Sequence, residues 1–240
     1  MALNKVQQIQ LEKQLAEHKH DRYEVNINLS DNLTLNNFVV YKNVLRPEKM
    51  VALNLAKFIF INNGLANKIV IDIGCGSGIQ GIVAGLSGAK KIILSDTSEY
   101  ALANTKENIC KFNLQNKAVA LKSDLFQNIS IKADVIIFNH PFFPSKPLES
   151  NPISSAMLDE GLLLKRFLIE ARKYLSPKGK IIMPYFHLAG ETNNPIIQGP
   201  KYGYTVAVKS KLKSDQTLQK GEVSISELRD NYFKKAFLIN

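Results

Sequence analysis

The stretch VIDIGCGSGIQG, residues 70–81, runs from an apolar segment through a glycine-rich turn into the start of a new pattern. A buried strand that ends in glycines and opens into a helix lets a ligand approach the backbone and meet the helix N-terminus. Two frames fit the stretch. Gly76-Ser77-Gly78-Ile79-Gln80-Gly81 satisfies GxGxxG, which admits a nicotinamide dinucleotide. Asp72-x-Gly74-x-Gly76-x-Gly78 fits better. A carboxylate just before the first glycine is badly placed against a pyrophosphate, because like charges repel, and well placed for a cationic amine.

Downstream, strands and helices alternate. "NKIVIDIG" predicts a strand, and "GIQGIVAGLSGA" a helix closing on Gly88. "KKIILSD" predicts a strand, Ser98 to Phe112 a helix, and "AVALKSD" and "ADVIIFN" two further strands. Leu162 to Leu175 predicts a helix ended by Ser176-Pro177, with "GKIIMPY" as the next strand. The pattern implies a parallel sheet covered on both faces. "GYTVAVKSKLKSD" and "EVSISEL" predict an antiparallel pair at the sheet edge.

Upstream, residues 2 to 19 predict a polar helix. Tyr23 to Leu29 and Leu33 to Tyr41 predict a hairpin around the turn at 30 to 32, readable as a small lid or appendage. Pro47-Glu48 opens a helix expected to reach about Asn62. Residues 1–43 therefore read as an N-terminal helix and hairpin, and residues 44–240 as the main domain.

Two acids fall at consecutive strand ends. Asp96 lies 22 residues after Gly74, where a carboxylate accepts hydrogen bonds from ribose hydroxyls, and Asp124 closes the following strand, beside an adenine ring. Another strand ends in Asn139-His140-Pro141-Phe142, an order that a plain turn does not require.

Composition sets the frame for these motifs. The 240 residues suit one domain with a full core, and the charge of +10 favours anionic partners. Cys75 and Cys110 have no CxxC spacing, so no metal site is expected, and two thiols point to a reducing cytoplasm. The apolar stretch from Met50 to Ile61 is cut by Asn54 and Lys57 and is too short to span a bilayer, so no membrane association is expected.

On these segments the chain resembles the class I S-adenosylmethionine-dependent methyltransferases. "VIDIGCGSG" is similar to their first motif, "LSDTS" to their second and "KSDLF" to their third. "FNHPFF" resembles the Asn-Pro-Pro-Tyr/Phe motif of amino-group methyltransferases. "VLRPE", "SDLF" and "MLDEGLLLKRFLIEARKYLSPKGKI" resemble segments of the HemK-type protein-glutamine methyltransferases. The resemblance implies a Rossmann-like α/β fold, with a seven-stranded, mostly parallel sheet, helices on both faces and the last strand antiparallel. It implies S-adenosyl-L-methionine as cofactor, bound by Asp72, Gly74, Cys75, Gly76, Ser77, Gly78, Asp96, Thr97, Asp124, Leu125 and Asn139.

The resemblance also assigns the reacting end. Asn139 accepts a hydrogen bond from the substrate nitrogen, His140 contributes its carbonyl and Phe142 stacks on the substrate plane, with Pro141 counted in the same catalytic motif. His140 stands where the family has proline, and only a short helix and hairpin precede the fold where the HemK-type proteins carry a larger helical domain. The acceptor implied is an amide or amino nitrogen: a protein glutamine, an adenine of RNA or DNA, or a small molecule. Two readings from other classes are an NAD(P)-dependent oxidoreductase, which gives no reason for Asp72, and a non-catalytic nucleic-acid-binding protein. The latter would use Lys165, Arg166, Arg172 and Lys173 on one predicted helix and Lys209, Lys211 and Lys213 on one strand face.

Overall fold

The computed structural model describes residues 3–16, 20–48, 50–62, 64–148, 151–213 and 221–231. Its elements in chain order are α1 (Lys5–Ala16), β1 (Arg22–Ser30), β2 (Leu33–Tyr41), α2 (Met50–Ile61), β3 (Ile69–Ile73), α3 (Ile79–Leu86), β4 (Lys91–Asp96) and α4 (Glu99–Lys111). Then follow β5 (Ala118–Lys122), β6 (Ala133–Phe138), α5 (Leu162–Ala171), β7 (Leu175–Phe186), α6 (Pro195–Lys201), β8 (Tyr204–Lys213) and β9 (Glu222–Asp230).

Seven strands form one sheet in the order β5-β4-β3-β6-β7-β9-β8, and β1 and β2 form a separate antiparallel pair. β3 to β7 run parallel, and β9 runs antiparallel to both β7 and β8. The expected fold class is therefore the observed one. The order reverses between β3 and β4 on one side and β6 on the other. Both βα loops there leave the carboxyl ends of the strands, where open α/β sheets hold ligands.

The sheet separates two apolar layers. Leu55 and Ile59 of α2 and Ile82 and Val83 of α3 pack on one face, and Leu164, Phe167 and Leu168 of α5 on the other. The hairpin joins the first layer: Ile27, Leu29, Leu35, Phe38 and Val40 are buried in the same cluster as α2 and α3. Each such side chain contributes about 1.5–3 kcal/mol relative to exposure, so the hairpin is fastened firmly.

Several boundaries differ from the sequence reading. α1 is Lys5–Ala16, and residues 17–19 lie outside the described ones. α2 begins at Met50 rather than at Pro47, and Pro47 lies in the wall of a cavity. α5 stops at Ala171, a 3-10 turn covers Arg172–Tyr174, and β7 already starts at Leu175. Ser176 and Pro177 are thus strand residues at an irregular register between β6 and β7. The C-terminal strands are the expected antiparallel pair at the sheet edge, with β9 next to β7 and β8 outermost. α6 was not foreseen, although Asn194 caps it by accepting from the Ile196 N–H at 3.0 Å and Pro195 starts it.

Four of the seven cations singled out for phosphate contact, Arg166, Arg172, Lys209 and Lys211, have protein partners. Arg166 bonds Asp124 at 2.9 Å, and the Arg172 guanidinium meets the Tyr202 carbonyl and lies 3.7 Å from Asp230. Lys209 and Lys211 lie 3.8 and 3.4 Å from Glu227 and Glu222. The side chain of Lys213 lies outside the described residues. Among the described residues no helix is long and apolar enough to cross a membrane.

Candidate active site

A cavity of about 290 Å³ opens at the carboxyl ends of β3, β4 and β6. Its floor is the turn between β3 and α3. Gly74, Gly76 and Gly78 all take positive φ, at 61°, 55° and 85°. L side chains rarely adopt such angles, so glycine at these places follows from the turn itself. The Cys75 N–H donates to the Ser95 carbonyl at 3.0 Å, tying the turn to β4.

Two carboxylates anchor this turn. Asp72 is 1% exposed, and its Oδ2 accepts from the Gly81 N–H at 2.9 Å. Burial pushes its pKa up to about 7, against the opposing pull of that N–H and with a further push from Asp96. Asp96 accepts from the Gly76 N–H at 3.0 Å and from the Ser98 N–H at 2.9 Å. Burial also raises its pKa, and the backbone donors counter this in part.

Asp72, Gly74, Cys75, Gly76, Ser77, Asp96, Thr97, Asp124, Leu125, Asn139 and Pro141 all line the cavity. Gly78 stands behind the turn, where a Cβ would meet Thr105 Oγ1 at 3.0 Å. Asp124 reaches the rim with Oδ2 on Arg166. Leu125 adopts φ 48° with its side chain buried.

The loop after β6 divides into a cavity side and an interior side. Asn139 faces the cavity, and its Oδ1 is buried with no hydrogen-bond partner. An orphaned carbonyl of this kind carries a desolvation cost of about 1–3 kcal/mol until something donates to it. His140 is absent from the cavity wall. The residue is 1% exposed, and Nε2 lies 2.7 Å from the Asn193 carbonyl. A carbonyl can only accept, so Nε2 carries the proton and donates. Burial lowers the pKa of His140 to about 4. Phe142 also lies off the cavity wall and meets His140 edge-to-face at 5.0 Å between ring centroids. Asn193 completes the anchorage by donating from Nδ2 to the carbonyls of Phe142 and Asp159, at 3.1 and 2.6 Å.

Residues outside the sequence assignment complete the wall. Val44, Leu45, Arg46 and Pro47 close one side, and Ile153, Ser155 and Ala156 another. "VLRPE" held a signal for the first group. Nothing local marks the second, which the chain folds back over the cavity. Arg46 bonds Glu48 through Nε at 2.5 Å and lies over the Tyr23 ring, 5.4 Å from its centroid.

The donor set fits S-adenosylmethionine. A buried carboxylate beside the turn suits its ammonium, a strand-end carboxylate suits its ribose, and the orphaned Asn139 Oδ1 suits the N–H of an acceptor.

Comparison with known proteins agrees. The family model for the ribosomal protein L11 methyltransferases matches residues 58–140. A Methanocaldococcus jannaschii protein, provisionally named a protein N5-glutamine methyltransferase, is 36% identical over 154 residues. That match covers 61% of this chain and 76% of the relative. A release factor glutamine methyltransferase of Borreliella burgdorferi is 35% identical over 48% of this chain and 44% of its own length. Among solved structures, the Thermus thermophilus 16S rRNA N2 G1207 methyltransferase has a TM-score of 0.63 at 16% identity, over 88% of this chain and 51% of that one. The ribosomal protein L11 methylase of Lactobacillus delbrueckii has a TM-score of 0.57 at 19% identity, over 84% and 97%.

The fold is that of the class I S-adenosylmethionine-dependent methyltransferases. Within that class, the chain belongs to the HemK-like protein glutamine methyltransferases. It is an N-methyltransferase, and its cofactor is S-adenosylmethionine.

Proposed function

We propose that the protein methylates the side-chain amide of a glutamine in a protein acceptor. The observation that carries this reading is the buried, unpartnered Oδ1 of Asn139 at the wall of the cavity. A primary amide presents two N–H groups from one planar nitrogen. Asn139 Oδ1 accepts one, and the His140 carbonyl, in the peptide shared with the cavity-lining Pro141, accepts the other when it turns toward the bound amide, holding the nitrogen for in-line attack. S-adenosylmethionine, when bound, supplies a methyl group already activated by a sulfonium. The contribution of Asn139 and His140 is therefore positioning rather than strong base chemistry. The imidazole of His140 takes no part in proton transfer, since the ring lies off the cavity wall with Nε2 committed to Asn193.

On the cofactor side, Asp72 faces the ammonium and Asp96 accepts from the ribose hydroxyls. The Gly74–Gly78 turn lies under the amino-acid portion, with Thr97 beside the ribose and Asp124 and Leu125 beside the adenine. Phe142 supports the acceptor loop from behind. The M. jannaschii and B. burgdorferi relatives, named for glutamine transfer, support the acceptor class. The charge of +10 suits an acceptor carried on an anionic assembly, and two free thiols suit the cytoplasm.

The test is a methyl-transfer assay with tritiated cofactor on protein, RNA, DNA and small-molecule fractions of a cell lysate. Label is expected in the protein fraction, as a 14-Da increment on a glutamine by mass spectrometry. Label confined to RNA or DNA would assign the acceptor to an adenine amino group instead.

A further inference from the structure

Three polar side chains outside the cavity wall lie together on α4. Asn104, Thr105 and Asn108 are each fully buried, at helical positions that share one face. Burying amides and a hydroxyl costs free energy unless each finds partners, and here the partners belong to two separate segments.

One segment is β2. Asn108 Oδ1 accepts from the Val39 N–H at 3.0 Å, and the Nδ2 groups of Asn104 and Asn108 both donate to the Val39 carbonyl at 2.9 Å. Asn104 Oδ1 accepts from the Tyr41 N–H at 2.9 Å. The other segment is the glycine turn. Asn108 Nδ2 also donates to the Ser77 carbonyl, and Thr105 Oγ1 donates to the Gly76 carbonyl, each at 2.9 Å. Two residues past Tyr41 begin Asn43 to Pro47, which line the cavity opposite the turn.

We propose that Asn104, Thr105 and Asn108 form a clamp that positions both walls of the cofactor cavity, making the N-terminal hairpin a working part of the cofactor site. Asn108 alone bridges the two segments. The bonds from Thr105 and Asn108 also orient the turn. In a trans peptide the C=O and N–H point in opposite directions. With the Gly76 carbonyl held toward α4, the Ser77 N–H is turned away from it. The turn sits so close to Thr105 that a Cβ on Gly78 would contact both Oγ1 and Cγ2, at 3.0 and 3.2 Å. Freed of these bonds, the turn has room to rotate its peptides and lose the geometry that Asp96 and Gly76 share.

The inference rests on the proposed placement of the cofactor across Gly74–Gly78, so the test includes a variant that reports on that placement alone. S-Adenosylhomocysteine is titrated calorimetrically into the wild type, Asn104→Ala, Thr105→Val, Asn108→Ala and Asp96→Ala, each well below its own melting temperature. Thr105→Val keeps the shape and removes one donor. It is expected to weaken binding about 3- to 10-fold, the range for one lost hydrogen bond, and Asn108→Ala, which removes one bond to the turn and two to Val39, at least as much. Asn104→Ala, which loosens β2 and leaves the turn tied, is expected to weaken binding as well. A merely structural role would lower melting temperature and leave the affinity of the folded protein alone. Wild-type affinity in Thr105→Val and Asn108→Ala, with a loss in Asp96→Ala, overturns the clamp. Where Asn108→Ala does not fold, Thr105→Val decides. Wild-type affinity in Asn104→Ala alone overturns the hairpin's part. Wild-type affinity in Asp96→Ala as well overturns the cofactor placement and the clamp with it.

Discussion

The proposed pairing of Asp72 with the cofactor's ammonium makes cofactor binding depend on pH. Its carboxyl is buried, holds one backbone N–H and has a pKa of about 7. Only the ionised form attracts an ammonium. With a pKa of about 7, roughly nine-tenths of the free protein is ionised at pH 8 and roughly one-tenth at pH 6. Affinity for S-adenosylhomocysteine should therefore fall about tenfold between pH 8 and pH 6. Stability runs the other way. A carboxyl whose pKa is raised on folding contributes most below its unfolded pKa, and loses that contribution as pH rises through about 7. Going from 3.8 to about 7 at ~1.4 kcal/mol per unit sets a ceiling of about 4.5 kcal/mol on this loss. Asp72→Asn keeps an acceptor for the Gly81 N–H. It is expected to raise the melting temperature of the ligand-free protein at pH 8 and to remove the pH dependence of binding. Calorimetric titration at pH 6, 7 and 8, with melting curves for both proteins, measures both effects. A flat affinity across that window in the wild type refutes the pairing of Asp72 with the ammonium.

Asn139→Ala removes a buried acceptor that has no partner, so melting temperature and S-adenosylhomocysteine affinity should stay near wild type. Methyl transfer should fall on the order of 100-fold or more, because positioning matters chiefly in the transition state; a rate within tenfold of wild type in the tritium assay would contradict the role. His140→Pro leaves the Asn193 carbonyl without its donor and empties ring volume beside Phe142 and Tyr185. A loss of about 2–5 kcal/mol in urea denaturation is expected, even though proline is the residue of the family motif. Gly81→Ala would set a Cβ 2.3 Å from Leu94 Cδ2, and overpacking of this kind costs about 1–3 kcal/mol in the same measurement.

The sequence was most readable where one short segment contains its own explanation. The β3 turn combines a strand that stops, glycines that require positive φ and a helix that starts, so its position and conformation could be read together. Asp96 was legible as a strand end for the same local reason, whereas β5 stops at Lys122 and leaves Asp124 in the turn after it. What remained hidden depends on contacts between distant segments. Nothing in "FNHPFF" tells that His140 turns inward, because its partner is the carbonyl of Asn193, 53 residues on. The 153–156 wall is set by the Phe143 and Asp159 backbone strap, where the Asp159 N–H donates to the Phe143 carbonyl at 3.0 Å. The place of β9 between β7 and β8 could not be read from strand patterns, since either strand of the pair has enough apolar residues to be the inner one.

That strand order also constrains how the sheet can be assembled. β8 precedes β9 in the chain, yet it touches the rest of the sheet only through β9. β8 therefore has no site to add to until β9 is in place, and the two are most directly added together as a preformed hairpin. Their mutual register, from Tyr204 with Asp230 to Lys213 with Glu222, is local. The union of β9 with β7, from Ile181 with Leu228 to Phe186 with Val223, closes a loop of some forty residues. Local pairing forms fast and long closure slowly, so the docking of this hairpin is a natural late step in folding. It completes the half of the sheet that supports Tyr185 and, through its ring, His140 and the acceptor loop.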